Sequence, residues 1–504
     1  MGATGLLMEY EDMFPFTGEL KVVNAKNGYS KEDVKTILRL ANESGLYVIP
    51  LVQTFGHLEF VLKHKEFRHL REVDKFPQAV CPTRNGTFSL VQELIAQTME
   101  LHPEAKYLHI GADEVFHIGR CNVCSRIGMK LGPGFLGVQA AKHQIFLAYV
   151  SQVLQHIRRT YPAVKPIMWD DMFRTMSARE IETGLGELTQ YVEPMIWSYF
   201  SDWRHHLPQY GDLYKDVFPN IWGATAFKGS SGETAQIPNI KTQAMIHTSW
   251  ISSLRENGHK MKNFRGIALT GWSRFDHFNP LCELFPVALP SLAVSMQILQ
   301  DNEMNLEGVQ EAAKNLNCQP DRPATLAFLE FDPNLDEFNN CSFPGTEVYR
   351  SVHAVMDLLV RRIEPHLKEL ESNFPVYQLH ELYVQASRLD EHLRWITRHE
   401  KILANFMEEI KAAFKLVFDE YTLNEWIAAN VVPVWTKLEA WKVVLTNTSL
   451  VEEWSSRPLN IPPFSVPIAL PIGVTDTTTR LSHSSKVVPY KNNFPEQTTV
   501  PSGV

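Results

Sequence analysis

Asp113 and Glu114 are neighbouring carboxylates in the run His109-Ile-Gly-Ala-Asp-Glu-Val115, directly after the strand-like segment Tyr107 to Ile110. Two carboxyls a few ångströms apart resist ionising together, so one tends to keep a proton near neutral pH and can act as a general acid. Such a pair suits a reaction whose leaving oxygen must be protonated. Gly111 and Ala112 are small enough to let a ligand come close, and the acids follow where a barrel strand would meet its loop. Strict strand alternation would point the two side chains to opposite faces, so a common site requires the strand to have ended or twisted there. Taken alone, an adjacent Asp-Glu pair is more often a solvated loop or a helix start.

The elements that would position this pair alternate along the chain. Strand candidates are Gly5 to Tyr10, Leu46 to Val52, Tyr107 to Ile110, Pro166 to Trp169, Pro194 to Trp197, Asn220 to Gly223 and Gly266 to Thr270. Between them lie amphipathic helical stretches: Lys31 to Asn42 behind a Ser30-x-x-Asp33 cap signal, Leu90 to Leu101, Val138 to Arg159 and Lys241 to Asn257. This alternation predicts an α/β fold, a parallel β/α barrel over residues 1–319. Pro320 to Phe343 reads as a polar connector. Val348 to Leu370, Tyr377 to Val417 and Leu423 to Leu445 carry apolar residues at helical spacing, which predicts a packed α-helical region over 344–455. From about residue 456 to 504, Pro, Ser and Thr dominate, the composition of a disordered tail.

The His109 to Val115 run resembles the signature of glycoside hydrolase family 20, the β-N-acetylhexosaminidases. Gly5 to Pro15, Val48 to His57, Trp169-Asp-Asp-Met172 and Thr270 to His277 are similar, more closely, to one branch of that family. The resemblance implies a (β/α)8 TIM-type barrel whose first strand this chain lacks, so that two barrel strands would have open edges and part of the sugar site would be missing. It implies a retaining exo-enzyme that removes terminal β-linked GalNAc or GlcNAc, with no metal and no organic cofactor. In that mechanism the substrate's own 2-acetamido oxygen attacks the anomeric carbon to give an oxazolinium intermediate. Carried onto this chain, Glu114 is the acid and later the base, and Asp113 orients the acetamide. The branch also implies a tilt toward GalNAc and a cytoplasmic and nuclear setting.

His57 follows a strand and a glycine. In the family such a histidine links a carboxylate of the preceding strand, here Glu11 or Asp12, to the general acid; a lone strand-end histidine is otherwise a structural residue. His109 is as readily a packing residue as a partner of the acids. Trp169, Trp197, Trp222 and Trp272 fall at or beside the last four strand ends and could wall a sugar pocket, or serve as core filler. Tyr199 is the candidate hydroxyl for the acetamido oxygen. Asp171, Arg274 and Asp276 could bind sugar hydroxyls or be rim charges paired with one another. The family's Trp-x-Glu pattern reads Trp272-Ser273-Arg274 here, which would change the hydroxyls recognised.

Composition is compatible with this. With 44% apolar and 21% charged residues over 504 positions, the chain can bury a large core. A net charge of −9 disfavours nucleic acid as a partner, and no apolar run approaches the ~20 residues of a membrane span. Six scattered cysteines do not make a disulfide framework, and Cys121-Asn-Val-Cys124 has no second CxxC to complete a zinc site. The expected partner is a glycoconjugate or oligosaccharide ending in an N-acetylhexosamine, and the helical region offers a surface for others, a second copy of the chain included. The competing class is a catalytically silent carbohydrate-binding or scaffold protein, because a barrel strand is missing.

Overall fold

The computed structural model describes residues 2–131, 135–202, 207–319, 338, 340–459 and 461. The disordered-tail expectation and most of the connector fall outside the described residues. All seven expected strands form: β1 (Gly5–Glu9), β2 (Tyr47–Leu51), β5 (Tyr107–His109), β6 (Lys165–Trp169), β7 (Glu193–Trp197), β8 (Asn220–Lys228) and β9 (Asn263–Gly271). They pair in parallel in that order, with helices on the crossovers. The sheet is a nearly closed barrel with β1 and β9 at its edges. A short antiparallel hairpin, β3 (Arg71–Val73) with β4 (Phe76–Val80), branches off after β2 and was not foreseen.

Local signals set the helix starts. Ser30 caps Lys31–Glu43 by accepting from the Asp33 N–H, while the Asp33 carboxylate accepts from the Ser30 N–H, and Ser177 with Glu180 repeats the device before Ala178–Leu185. In the strands, period-2 spacing sorts side chains between the barrel interior and the helical layer. Ile49 and Leu51, Ile167 and Trp169, Met195, and Trp222 with Ala224 form one interior cluster.

The C-terminal region is helical but more broken than its periodicity predicts. Leu382 has a left-handed backbone (φ 52°) between Val376–His380 and Ala386–Phe414, and a second interruption at Val431 separates Glu420–Asn430 from Val432–Thr448, where Pro433 starts the new helix. This region docks on the barrel through named groups. The buried indole of Trp426 donates to Gln236 at 2.9 Å, and Arg274 holds Glu425 through both guanidinium nitrogens, one at 2.8 Å. One disulfide, Cys318–Cys341, is formed, which the scatter of cysteines had not suggested. No helix among the described residues is long and apolar enough to cross a membrane.

The Arg274–Glu425 pair is about one-third exposed, so its net contribution is modest. Glu425→Ala should lower stability by about 1 kcal/mol, read as a lower midpoint of urea unfolding; an unchanged midpoint would mean that this pair adds nothing to the docking.

Candidate active site

The strand carrying the acids stops early. β5 ends at His109, and Gly111 (φ 60°), Ala112 (φ 65°) and Glu114 (φ 46°) all adopt left-handed backbone. This reversal cancels strand alternation, and both acidic side chains reach one point: His57 Nε2 lies 3.4 Å from Asp113 Oδ2 and 3.2 Å from Glu114 Oε2. His57 is itself left-handed (φ 49°). A left-handed non-glycine residue costs roughly 1–2 kcal/mol, so the surrounding structure must hold this geometry.

It does so through side chains from three neighbouring segments. Gln53 Oε1 accepts from the Ala112 N–H at 3.3 Å, Asp171 Oδ2 accepts from the Glu114 N–H at 2.9 Å, and Gln78 Nε2 donates to the Glu114 carbonyl at 2.8 Å. Asp171 also accepts from Trp197 Nε1 at 3.2 Å. Two glycines let the segments come this close, and at Gly56 the near atom is backbone, which cannot swing aside. A Cβ on Gly111 would lie 1.9 Å from Gln53 Oε1, and one on Gly56 would lie 2.2 Å from the Asp113 carbonyl oxygen.

Charge in the cluster is redistributed by burial. Burial raises the pKa of Asp113, and the Glu114 charge raises it further, against the pull of His57. Burial pulls His57 down, but Asp113, Glu114 and Glu59 together carry it up to about 10, so it is an imidazolium at neutral pH. Asp171 is pushed up to about 7 by burial and by Asp113. Glu9, which accepts from Gln53 Nε2 at 3.2 Å, is pushed up to about 8 by burial and by the charges of Glu11 and Asp113. Asp113 Oδ1 is buried with no hydrogen-bond partner among the described residues.

The sequence of this cluster has relatives. The profile of the glycosyl hydrolase family 20 catalytic domain matches residues 11–203. Hexosaminidase D of Homo sapiens is 34% identical over 459 residues, covering 87% of each chain. The chain belongs to glycoside hydrolase family 20. Hexosaminidase D of Bos taurus is 40% identical over 320 residues, 62% of this chain and 88% of that one. Beta-hexosaminidase A of Caenorhabditis briggsae is 26% identical over 177 residues, 32% of this chain and 31% of that one.

Within this family 20 barrel the other expected site residues divide. Tyr199 stays near the acids: its hydroxyl accepts from Trp272 Nε1 at 2.8 Å, and burial, with the charges of Asp113 and Glu114, pushes it up to about 12. Trp197 is held by Asp171 from one side and by Arg174 over its ring at 5.0 Å from the other. Trp169 is fully buried at the end of β6, 4.4 Å from the His109 ring and 6.2 Å from that of Trp272. His109 accepts from the Gly111 N–H through Nδ1 at 3.1 Å, and burial lowers its pKa to about 3, so it is neutral.

The remaining expected residues have partners of their own, and one expected link, from Glu11 or Asp12 to His57, is corrected. Trp222 pairs with Met195, as Trp169 does from the other side, and donates to Glu193 at the start of β7 at 2.7 Å. Arg274 is taken by Glu425. Asp276 caps a turn, accepting from the N–H groups of Phe278 and Asn279. Glu11 and Asp12 do not bond to His57; His277 Nδ1 meets Glu11 at 2.8 Å, while Lys63 Nζ bridges Asp12 (2.9 Å) and His277 Nε2 (2.7 Å). With Nε2 accepting from the ammonium, the Nδ1–H of His277 donates to Glu11.

Gln53 and His277 lay inside segments that carried the family resemblance, and a glutamine within an apolar strand run is itself a signal. Gln78 and Lys63 had none, because their roles depend on where the hairpin and the loop after β2 fold back.

Gly56→Ala should cut glycosidase kcat on the order of 10²-fold by displacing Asp113 and, because the clash is with backbone, should also lower the melting temperature; full activity at an unchanged melting temperature would show that the close approach is not needed. Glu9 gives a pH signature. A carboxyl whose pKa rises from about 4.5 to about 8 on folding binds its proton more tightly in the folded chain, so stability is greatest below the lower value and declines as pH climbs through the higher one. Glu9→Gln should therefore raise the melting temperature relative to wild type at pH 8 more than at pH 5, and an equal change at both values would refute the assignment.

Proposed function

We propose that the site hydrolyses terminal β-linked N-acetylhexosaminides with Glu114 as proton donor and Asp113 as the partner of the acetamide. The chain is a family 20 glycoside hydrolase, a β-N-acetylhexosaminidase. The observation that carries the residue roles is the convergence of the two carboxylates beside one histidine, with Asp113 Oδ1 buried and unpartnered. A buried acceptor without a donor is costly, and the N–H of a 2-acetamido group would satisfy it.

In this reading Glu114, the more exposed of the two acids, gives its proton to the glycosidic oxygen as that bond to C1 breaks. The acetamido oxygen supplies the electron pair that replaces it, closing an oxazolinium ring whose positive charge lies beside Asp113. Glu114, now a carboxylate, takes a proton from the water that attacks C1 and reopens the ring with retention of configuration. The nucleophile is already part of the substrate, so the protein's contribution is positioning and charge. The imidazolium of His57 keeps two neighbouring carboxylates compatible and returns the acid to one orientation between steps. The hydroxyl of Tyr199 accepts from Trp272, which leaves its own proton to give to the acetamido oxygen. Trp197 and Trp272, only partly buried, supply the apolar face for the sugar, with Trp169 packed behind them.

The test uses aryl β-GlcNAc, β-GalNAc and β-glucose substrates. Wild type should cleave the first two and not the third, which has no acetamide. Glu114→Gln should lose 10²–10⁴-fold in kcat, and Asp113→Asn on the order of 10²-fold, with inhibition of wild type by a thiazoline mimic of the intermediate. Turnover of the glucoside at a comparable rate would overturn the substrate-assisted route, and no turnover of any of them would favour the silent binding protein.

A further inference from the structure

A second group of titratable side chains gathers away from the acids. Glu72 lies in β3, Cys81 directly follows β4, and Cys121 and Cys124 flank the start of the helix Asn122–Leu131. One donor atom from each lies within 4.8 Å of all the others. Cys81 Sγ is 3.4 Å from Cys121 Sγ and 3.8 Å from Cys124 Sγ. Glu72, Cys81 and Cys124 are almost wholly buried, and Cys121 is the one nearer solvent.

Three features decide what this arrangement is for. The first is spacing: four ligands around zinc with Zn–S of about 2.3 Å place neighbouring sulfurs about 3.8 Å apart along the edges of a tetrahedron. The second is charge. Glu72 Oε1 accepts from the N–H groups of Arg120 (2.6 Å) and Cys121 (2.8 Å), while Oε2 turns toward the sulfurs, 3.8 Å from Cys124 Sγ. No cationic side chain among the described residues pairs with this buried carboxylate, and a buried charge without a counter-charge is strongly disfavoured. The third is stoichiometry: Thr83 Oγ1 touches the two buried thiols, 3.1 Å from Cys81 Sγ and 3.4 Å from Cys124 Sγ, and a disulfide would join only two of the sulfurs, whereas one thiophilic divalent ion engages all three and the carboxylate. The Cys124 N–H already donates to Cys121 Sγ at 3.3 Å, as a thiolate ligand would require. Sulfur donors select zinc over magnesium or calcium, which take oxygen.

We propose that Glu72, Cys81, Cys121 and Cys124 bind a structural zinc ion that fastens the β3–β4 hairpin to the loop leading out of the active site. With four protein ligands the ion has no open position for substrate, so its role is to hold the fold. The hairpin carries Gln78, which grips the Glu114 carbonyl, and Phe76, whose ring stacks on His117 at 4.6 Å. Cys121 is seven positions after Glu114. The ion thus closes a loop whose other fixed point is the catalytic turn.

The test measures metal in the full-length chain purified under reducing conditions and dialysed against metal-free buffer. The expectation is about one zinc per chain, with X-ray absorption showing three sulfurs at about 2.3 Å and one oxygen at about 2.0 Å. Cys81→Ser, Cys124→Ser and Glu72→Gln should each lose most of the zinc, while Cys282→Ser, at a buried cysteine elsewhere, should keep it. If the ligand variants fold poorly, the wild-type absorption spectrum still decides. Zinc-free protein after expression with added zinc, zinc without sulfur ligands, or a Cys81–Cys121 or Cys81–Cys124 disulfide found by mass spectrometry would each overturn the proposal. None of these readouts uses a sugar substrate, so they stand or fall independently of the glycosidase reading.

Discussion

The left-handed turn after β5 is the constraint on which the site depends. Three of the four residues from 111 to 114 have positive φ, and only that reversal brings Asp113 and Glu114 to the same histidine. Such backbone is unfavourable for side-chain-bearing residues, so it persists because other parts of the molecule hold it: Gln53 after β2, Gln78 in the hairpin and Asp171 after β6 each bond to one of its peptide groups. Strain is concentrated where the chemistry is. Glu11 and His57, in the segments that follow β1 and β2, share it.

The barrel beneath gives that turn a rigid seat. Its interior is filled in layers by alternate strand residues, and the lower layer is locked by polar groups: Trp222 and Arg265 both bond to Glu193. With the base of the barrel packed in this way, the tryptophans that remain near the acids are Trp169, Trp197 and Trp272. The charges at the mouth are mostly engaged with one another or with the helical region, as Arg274 with Glu425 and His277 with Glu11. The groups left to meet a ligand are therefore few, and the buried, unpartnered Asp113 Oδ1 is the clearest of them.

Burial also sets the protonation pattern. Asp113, Asp171, Glu9 and Glu59 are all raised by it, while His57 is raised by the carboxylates around it despite it. One imidazolium among several buried carboxyls keeps the charge of the cluster low enough to be tolerated away from water. The cluster of Glu72 with three cysteines poses the same problem with no cationic side chain to solve it, and a metal ion is the counter-charge that fits.

The sequence by itself determined the seven parallel strands, the capped helix at Ser30, the helical C-terminal region, and the Asp-Glu pair at a strand end with its family resemblance. These are written in local periodicity, cap residues and contiguous motifs, which need no knowledge of distant contacts. The tertiary structure alone decided where the side chains point. Strand register set Trp222 beside Met195, where its indole bonds to Glu193, although its position beside a strand end looked the same as that of Trp197. Folding of the helical region onto the barrel brought Glu425 to Arg274 across 151 positions, and the loops after β1 and β2 sent Glu11 and Asp12 to His277 instead of His57. Likewise Cys121-x-x-Cys124 lacks a second CxxC in the sequence but meets Cys81 and Glu72 through an unforeseen hairpin. Pairings of this kind depend on register and on single backbone angles, and a one-residue change in either turns a side chain to the opposite face without altering the pattern read along the chain.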